Sequence, residues 1–328
     1  SASAATLDQI RLSWQHDPRT TITLMWRTDS TLIPRVQYGV TTAYGSEATG
    51  TSQPAILDGY VYHTVELIGL TPGTLYHYRV SGPGTSWSSD ASFRTAPQSP
   101  ADFSFTAFGD NGTQSNGGTA PNRIKDLVAA QNSAFHLVAG DLTYADGDSC
   151  SGRSCVKEHW EEWFKELERF SHSVPIMPAI GNHEIKSDVK FDSGETFYER
   201  SFALPSQPSE LYYSFDYGDV HFVALDSNDW RSLRQGGAQY NWLRADLSGT
   251  TKRFKVVFFH HLAYTSGGDH EDTEAIQQEV TPLFDQFDVD LVIYGHNHHF
   301  ERTYPLRYNQ PDNPTITSTH GTSYTGAD

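Results

Sequence analysis

Polar side chains stand just past the ends of five apolar stretches of this sequence, where short β-strands are expected to finish. They are Asp110, Asp141 with Tyr144, Asn182 with His183, His260, and His296 with His298. In open α/β sheets, ligands bind beyond the carboxyl ends of the strands. Leaving His183 aside, the two carboxylates, three imidazoles, one amide and one phenol can hold two metal ions if one carboxylate bridges them. The pattern therefore predicts a two-metal site built from loops that are distant in sequence.

The charge balance limits the classes of partner. The chain has 328 residues with 23 Lys and Arg against 40 Asp and Glu, which gives a net charge of −17. So acidic a surface repels polyanions, and no nucleic-acid partner is expected. An anionic ligand would need a local positive centre, which a metal site supplies. No apolar stretch approaches the roughly 20 residues of a membrane span, so no membrane partner is expected either.

The cysteines indicate the compartment. The chain has two, Cys150 and Cys155, and this spacing favours a small local disulfide. Free thiols or a weak soft-metal site are the alternative. A disulfide implies an oxidising compartment, so a secreted, extracellular or periplasmic protein is expected. The opening residues 1–5 fit what remains after signal-peptide cleavage, or a cloning scar.

The length favours two domains, and the pattern of elements changes near residue 97. Up to that point short strands alternate with turn signals, as in 60–67, the turn 69–74 and 75–80. This predicts a β-sandwich of immunoglobulin or fibronectin III type over residues 1–97. Residues 98–328 alternate strands with helices, which predicts an α/β domain. One helix should open at Pro121 and carry Ile124, Leu127 and Val128 on one face.

Five sequence blocks resemble those of the purple acid phosphatases, the tyrosine-containing branch of the binuclear metallophosphoesterases. The family blocks GDxG, GDxxY, GNHE or GNHD, VxxH and GHxH occur here, in order, at 109–112, 140–144, 181–184, 257–260 and 295–298. The front domain is similar to the fibronectin III-like domain of the larger, plant-type members. The resemblance implies a β-sandwich followed by a metallophosphoesterase domain of two mixed sheets flanked by helices. Family members continue with closing strands, whereas this chain stops at Asp328, so we expect a missing continuation, such as a companion C-terminal chain.

The resemblance also implies how the ligands divide. Asp110, Tyr144 and His298 would bind Fe(3+), Asn182, His260 and His296 would bind a divalent Zn, Fe or Mn, and Asp141 would bridge the two ions. Most metallophosphoesterases have Asp-x-His in the first block and no tyrosine in the second. Here Gly112 replaces that histidine and Tyr144 supplies the missing ligand. A tyrosinate-to-iron charge-transfer band, and hence a purple or pink colour, is expected of the iron-loaded protein.

The implied activity is acid phosphatase, in which a metal-held hydroxide attacks a phosphate monoester. His183 is the expected proton donor or phosphate-binding group, and His270 is the candidate for a further outer histidine. Asp269 stands where some members have another histidine, which leaves the identity of the acid open. His261 follows a predicted ligand and is expected to face away from the site.

Two other functions are possible. A phosphodiesterase or nucleotide pyrophosphatase could use the same site, and the loops 185–210 and 226–240 would decide between the two chemistries. A secreted binding protein with a vestigial metal site is the non-enzymatic alternative.

Overall fold

The computed structural model describes residues 6–115, 121–145, 153–185, 196–265, 270 and 273–303. Its first part is a domain of eight strands in two antiparallel sheets, of order β1-β2-β6-β5 and β4-β3-β7-β8. The strands are β1 (Leu7–Ser13), β2 (Ile22–Thr28), β3 (Arg35–Gly39), β4 (Ser46–Thr49), β5 (Thr51–Pro54), β6 (Val61–Leu67), β7 (Leu75–Val80) and β8 (Ala91–Arg94). The predicted N-terminal domain of β-sheets is confirmed, while its closer likeness to fibronectin III stays a prediction.

The second part alternates strands and helices, as predicted. Its elements are β9 (Thr106–Phe108), α1 (Pro121–Ala129), β10 (His136–Ala139), α2 (Arg153–Leu167), β11 (Ile176–Ala179), α3 (Asn182–Ile185), α4 (Phe197–Ser201), β12 (Tyr213–Tyr217), β13 (Val220–Ala224), α5 (Trp230–Leu233), α6 (Ala238–Gly249), β14 (Phe254–Phe258), a π-helical turn (Ile276–Val280), α7 (Thr281–Gln286) and β15 (Leu291–Ile293). Strands β11-β10-β9 form a parallel sheet. Strands β12-β13-β14-β15 form a mixed sheet in which β13, β14 and β15 are parallel.

Aromatic side chains fill the space between these two sheets. The Phe105 and Phe135 rings stack with centroids 5.5 Å apart, and Phe215 and Phe222 stack at 5.0 Å. Phe135 meets Phe222 edge-on at 5.1 Å, which joins the two sheets. Such pairs add to the stabilisation from apolar burial. The packed layer fixes the two sheets relative to each other, and with them the loops at their carboxyl ends.

The two domains share one hydrophobic core. Trp14, which follows β1, packs its ring 5.6 Å from Phe135 of the second domain. The buried guanidinium of Arg11 donates from Nε to the Ser201 carbonyl at 2.8 Å, and Tyr78 donates to the His172 carbonyl at 2.6 Å. Because buried polar groups and aromatic rings cross the boundary, the front domain supports the second domain directly.

Helix α1 begins at Pro121 as predicted, but it does not bury all of its apolar side chains. Ile124 and Leu127 are 41% and 55% exposed, whereas Lys125 is fully buried beside Val128. The Lys125 ammonium donates to the Gly112 carbonyl at 2.6 Å and pairs with Glu166 of α2. A buried charge needs a partner of opposite sign, so this ion pair sets the rotation of the helix. Apolar spacing alone does not show which face of this helix is buried.

Two sequence-based expectations fall outside the described residues. Cys150 lies there, so the disulfide to Cys155 stays a prediction. Residues 304–328 lie there too, so the expectation that the chain lacks the closing strands of its family also stays a prediction. Among the helices that are described, none has the length and apolar character needed to cross a bilayer.

Candidate metal centre

The carboxyl ends of the parallel strands carry the predicted ligands. Asp110 follows β9, Asp141 follows β10, and Asn182 opens α3 directly after β11. In the second sheet, His260 follows β14 and His296 follows β15. The backbone N–H of Asp110 donates to the Gly140 carbonyl and that of Gly295 donates to the His260 carbonyl, both at 3.1 Å. The loops of each sheet are therefore joined at the base of the site.

One half of the site is buried and closely hydrogen-bonded. Asp141, Asn182 and His260 are all buried. His260 Nε2 lies 3.0 Å from both Asp141 Oδ2 and Asn182 Oδ1, and its Nδ1 lies 2.9 Å from the Ala139 carbonyl. A carbonyl accepts from an N–H, so this contact directs Nε2 towards the carboxylate. The ring is held in the orientation that a metal-ligating histidine needs.

His296 completes a group of three potential ligands. Its Nδ1 lies 3.1 Å from His260 Nε2. One ligand atom each from Asp141, His260 and His296 lies within 4.8 Å of the others, a spacing that suits a metal ion. On the protein groups alone, burial and the neighbouring His260 lower the pKa of His296 to about 3. Imidazole is therefore neutral there and able to bind a cation.

The other half of the site is open. Tyr144 donates its hydroxyl to Asp110 Oδ1 at 3.1 Å and lies 2.8 Å from His298 Nε2, while 56% of the His298 side chain is exposed. The His296 backbone N–H donates to Asp110 at 2.9 Å. Burial, together with Asp110 and Asp141, raises the pKa of the Tyr144 phenol far above its usual value. A cation here would reverse that effect, because it stabilises a phenolate and both carboxylates.

Four of the predicted ligands have left-handed backbone conformations. The φ angles are 51° at Asp110, Asp141 and Tyr144, and 76° at His296. Non-glycine residues rarely adopt positive φ, and such strain concentrates at functional sites. These sharp turns bring side chains from the strand ends back towards one point. Backbone geometry thus supports the same residues that the sequence blocks selected.

Glu184 is a functional residue that sequence reasoning missed. Its buried carboxylate accepts from the backbone N–H groups of Asp141 at 3.0 Å, Leu142 at 2.8 Å and Gly181 at 2.9 Å. Burial and the nearby Asp141 raise its pKa to about 7. The carboxylate ties the loop after β10 to the loop after β11, and so it fixes Asp141 relative to Asn182. The feature of the sequence that could have identified Glu184 is its position at the end of the GNHE block.

The predicted outer histidines lie at the rim. His183 Nε2 is 3.7 Å from Asp141 Oδ2, and the His183 ring is 4.4 Å from the Tyr144 ring. The His270 ring stacks on His296 with centroids 3.8 Å apart, and Asn297 Oδ1 accepts from the His270 backbone N–H at 2.9 Å. Asp269 lies outside the described residues. All nine predicted site residues are thus gathered in one cluster, although their individual roles stay predictions.

The expectation that His261 faces away from the site is wrong. Its ring centroid lies 4.6 Å from that of His296 and 5.3 Å from that of His260. Strand β14 ends at Phe258, so the alternation of side chains no longer applies at residues 260 and 261. A polar contact from a different loop, described below, holds the ring there.

Comparison with known proteins identifies the family. A family model described as calcineurin-like phosphoesterase matches residues 103–300. The chain belongs to this family. A second model, described as the purple acid phosphatase N-terminal domain, matches residues 7–95. Together they confirm the resemblance that the five blocks indicated.

Several relatives of this calcineurin-like phosphoesterase are purple acid phosphatases. Purple acid phosphatase 23 of Arabidopsis thaliana is 33% identical over 74% of this chain and 57% of its own length. An uncharacterized protein of Mycobacterium tuberculosis is 31% identical over 91% of this chain and 62% of its own length. The structure of a purple acid phosphatase from yellow lupin seeds has the same fold, with a TM-score of 0.75 at 22% identity over 93% of this chain and 61% of that one. The chain therefore spans about 60% of the length of these proteins.

Metal binding is the property that membership of this phosphoesterase family implies, and the donor set fits it. The anionic donors Asp110 and Tyr144 gather at the open side, whereas the neutral donors Asn182, His260 and His296 gather at the buried side, with Asp141 close to His260. Hard anionic oxygen suits a trivalent ion, and imidazole suits a divalent transition metal.

Proposed function

We propose that this chain hydrolyses phosphate monoesters at a binuclear Fe(III)–M(II) centre, as a secreted acid phosphatase. The observation that carries the proposal is the convergence of Asp141, His260 and His296 within 4.8 Å, beside the Asp110–Tyr144–His298 group. The net charge of −17 would otherwise repel a phosphate. Membership of the phosphoesterase family supports the reaction class.

The ligand assignment follows the two halves of the site. Asp110, Tyr144 and His298 would hold the iron, Asn182, His260 and His296 would hold zinc, iron or manganese, and Asp141 would be shared. When bound, the two ions supply the positive charge that attracts a phosphate ester and the Lewis acidity that activates water. The carboxylate of Glu184 and the carbonyl of Ala139 keep Asp141 and His260 in place before the ions arrive.

His183 is the proposed proton donor to the leaving alcohol. Its backbone N–H donates to Asp141 Oδ1 at 2.9 Å, which anchors the residue, while its ring is half-buried against Tyr144. A half-buried imidazole can reach both the ester oxygen and solvent, as general-acid catalysis requires. His270, stacked on His296, is proposed to contact the phosphate from the other side.

The direct test is metal content with a visible spectrum, on protein purified without chelator. We expect about two metals per chain, one of them iron, with a broad band in the green region and hydrolysis of an alkyl phosphate monoester. Tyr144→Phe should remove the band and leave the fold intact, while Tyr240→Phe, at a site away from the cluster, should leave the band unchanged. Two metals without iron or band would move the proposal to a zinc or manganese enzyme. Protein without metal or activity would overturn it.

Hydrolysis of a nucleotide diester or pyrophosphate is the second candidate, favoured by the surface of α5. Trp230 is 42% exposed, and the Arg234 guanidinium lies 4.2 Å from its ring centroid. Asn228, close by in the chain, donates to the Gly181 carbonyl at 3.3 Å, next to the predicted ligand Asn182. An exposed indole with a guanidinium suits a planar, anionic group.

Trp230→Ala separates the two candidates. If nucleotides are the substrates, kcat/KM for a nucleotide diester should fall about tenfold while an alkyl monoester is hydrolysed as before. Phe254→Ala is the matched control, because Arg253 stacks on exposed Phe254 at 4.9 Å, but at the opposite end of β14 from His260. A wild-type protein that hydrolyses the alkyl monoester but not the nucleotide diester would leave the monoesterase as the function.

A further inference from the structure

We propose that His261 binds the phosphate group of the substrate, and that Ser227 positions it for this role. The inference rests on the proposed function, because it concerns the same site. It adds His261, which lies outside the five sequence blocks, to the two histidines already proposed to contact the substrate, His183 and His270. Its basis is the geometry of the loop between β13 and α5.

Ser227 holds His261 at two points. The Ser227 hydroxyl oxygen accepts from the His261 backbone N–H at 2.9 Å and lies 2.9 Å from His261 Nδ1. Ser227 is buried, so these contacts are sheltered from competing water. Together they fix both the backbone and the ring of the histidine.

The loop that carries Ser227 is itself held firmly. The neighbouring Asp226 receives a matched pair of bonds from the buried side chain of Gln239 in α6: its N–H donates to Gln239 Oε1 at 2.8 Å and its carbonyl accepts from Gln239 Nε2 at 3.0 Å. On the other side, Asn228 donates to the Gly181 carbonyl at 3.3 Å. Ser227 is therefore fixed relative to the residues next to two predicted ligands, Asn182 and His260.

The position of the His261 ring determines which groups its two nitrogens can contact. It lies 4.6 Å from the His296 ring, centroid to centroid, and is half-buried. Ser227 engages Nδ1, and the other ring nitrogen, Nε2, lies on the edge of the imidazole away from Nδ1. An Nε2–H group at this place can donate to an oxygen of a phosphate ester held beside His296. Hydrogen bonds to a charged acceptor are about twice as strong as neutral ones.

Two substitutions distinguish this role from a purely structural one. His261→Gln places an amide near the position of Nε2, whereas His261→Asn places one near Nδ1, next to Ser227. Inorganic phosphate is the probe, titrated calorimetrically into the metal-loaded protein, with metal content and thermal stability measured on each variant. KM and kcat for an alkyl monoester are measured in parallel.

If His261 binds phosphate, His261→Asn should weaken phosphate binding and raise KM about tenfold with metal content unchanged, and His261→Gln should retain most of the affinity. Ser227→Ala should weaken phosphate binding similarly, and adding it to His261→Ala should cause no further loss. Ser52→Ala is the control, since Ser52 pairs with His63 Nδ1 at 2.8 Å in the N-terminal domain, and it should not change phosphate binding.

The contrary results are equally clear. Wild-type affinity in both His261→Asn and His261→Gln would overturn the inference and leave the proposed function intact. The inference would also be overturned if His261→Asn kept wild-type stability and phosphate affinity while His261→Gln did not. In that case only the contact of residue 261 with Ser227 would matter. A wild-type protein that binds metals but neither binds phosphate nor hydrolyses an ester would overturn both proposals.

Discussion

The two halves of the candidate metal centre differ in how completely the protein builds them. On the buried side, Asp141 and Asn182 both contact His260, and the Glu184 carboxylate and the Ala139 carbonyl hold Asp141 and His260 in place. On the open side, the part-buried Tyr144 and the exposed His298 contact each other, and Tyr144 donates to Asp110. The buried half is organised by the fold, whereas the open half needs a cation to stabilise a Tyr144 phenolate beside the Asp110 carboxylate.

This difference has a physical cause. Buried polar groups must be paired to offset their lost hydration, so the chain supplies partners for them whether or not a ligand is present. Exposed groups are hydrated and need no such partner. Substitutions in the buried half should therefore affect stability and activity together, and those in the open half should affect metal binding and activity alone.

The sharpest test compares His260→Ala with His298→Ala. Loss of the buried His260 leaves Asp141 and Asn182 without their partner and should cost about 3–5 kcal/mol of unfolding free energy. Loss of His298 should cost under about 1 kcal/mol, because the side chain is exposed. Urea denaturation of the metal-free variants measures both, and both variants should lose most activity when metal is added. Equal destabilisation would break the distinction between the halves.

Glu184→Gln tests whether the buried half depends on its carboxylate. Three backbone N–H groups would lose an anionic acceptor, with an expected cost of about 2–3 kcal/mol and a 10–100-fold loss of metal affinity. Glu168→Gln is the control, because Glu168 also accepts a backbone N–H, that of Gln9 at 2.8 Å, but at the domain boundary. That variant should keep its metal affinity. Unchanged metal affinity in Glu184→Gln would show that the predicted ligands do not depend on the Glu184 carboxylate for their positions.

His221 shows what a buried histidine does where no metal is expected. It lies 2.8 Å from Asp216 through Nδ1 and 2.8 Å from Asp246 through Nε2. Burial opposes its charge, but these two hydrogen bonds prevail and raise its pKa to about 9. The unfolded value is about 6.5, so the stabilisation is complete below about pH 6.5 and is lost as the pH rises through about 9.

His221→Gln should therefore cost about 2 kcal/mol at pH 6 and much less at pH 10. Denaturant titrations at the two pH values give this difference directly. A cost for His221→Gln that does not vary with pH would mean that the histidine is neutral in the folded protein.

Local sequence was sufficient for the features that depend on residue type and short spacing. The five blocks at the strand ends predicted the family and the cluster of predicted ligands, and the change in element pattern near residue 97 predicted the two-domain order. These features can be predicted from the sequence because a few adjacent residues specify a strand that ends in glycine and a metal-ligating side chain. The turn conformations at Asp110, Asp141 and Tyr144 are part of the same local pattern.

Tertiary structure alone decided what depends on partners distant in the chain. The buried face of α1 is set by the ion pair of Lys125 with Glu166. The link between the loops after β10 and β11 depends on the contact of Glu184 with the Asp141 backbone. The position of the His261 ring depends on Ser227. In each case a buried or half-buried polar group took its position from a hydrogen-bond partner more than 30 residues away. Periodicity reports which side chains prefer burial, but it carries no information about which polar groups will meet once the sheets have packed.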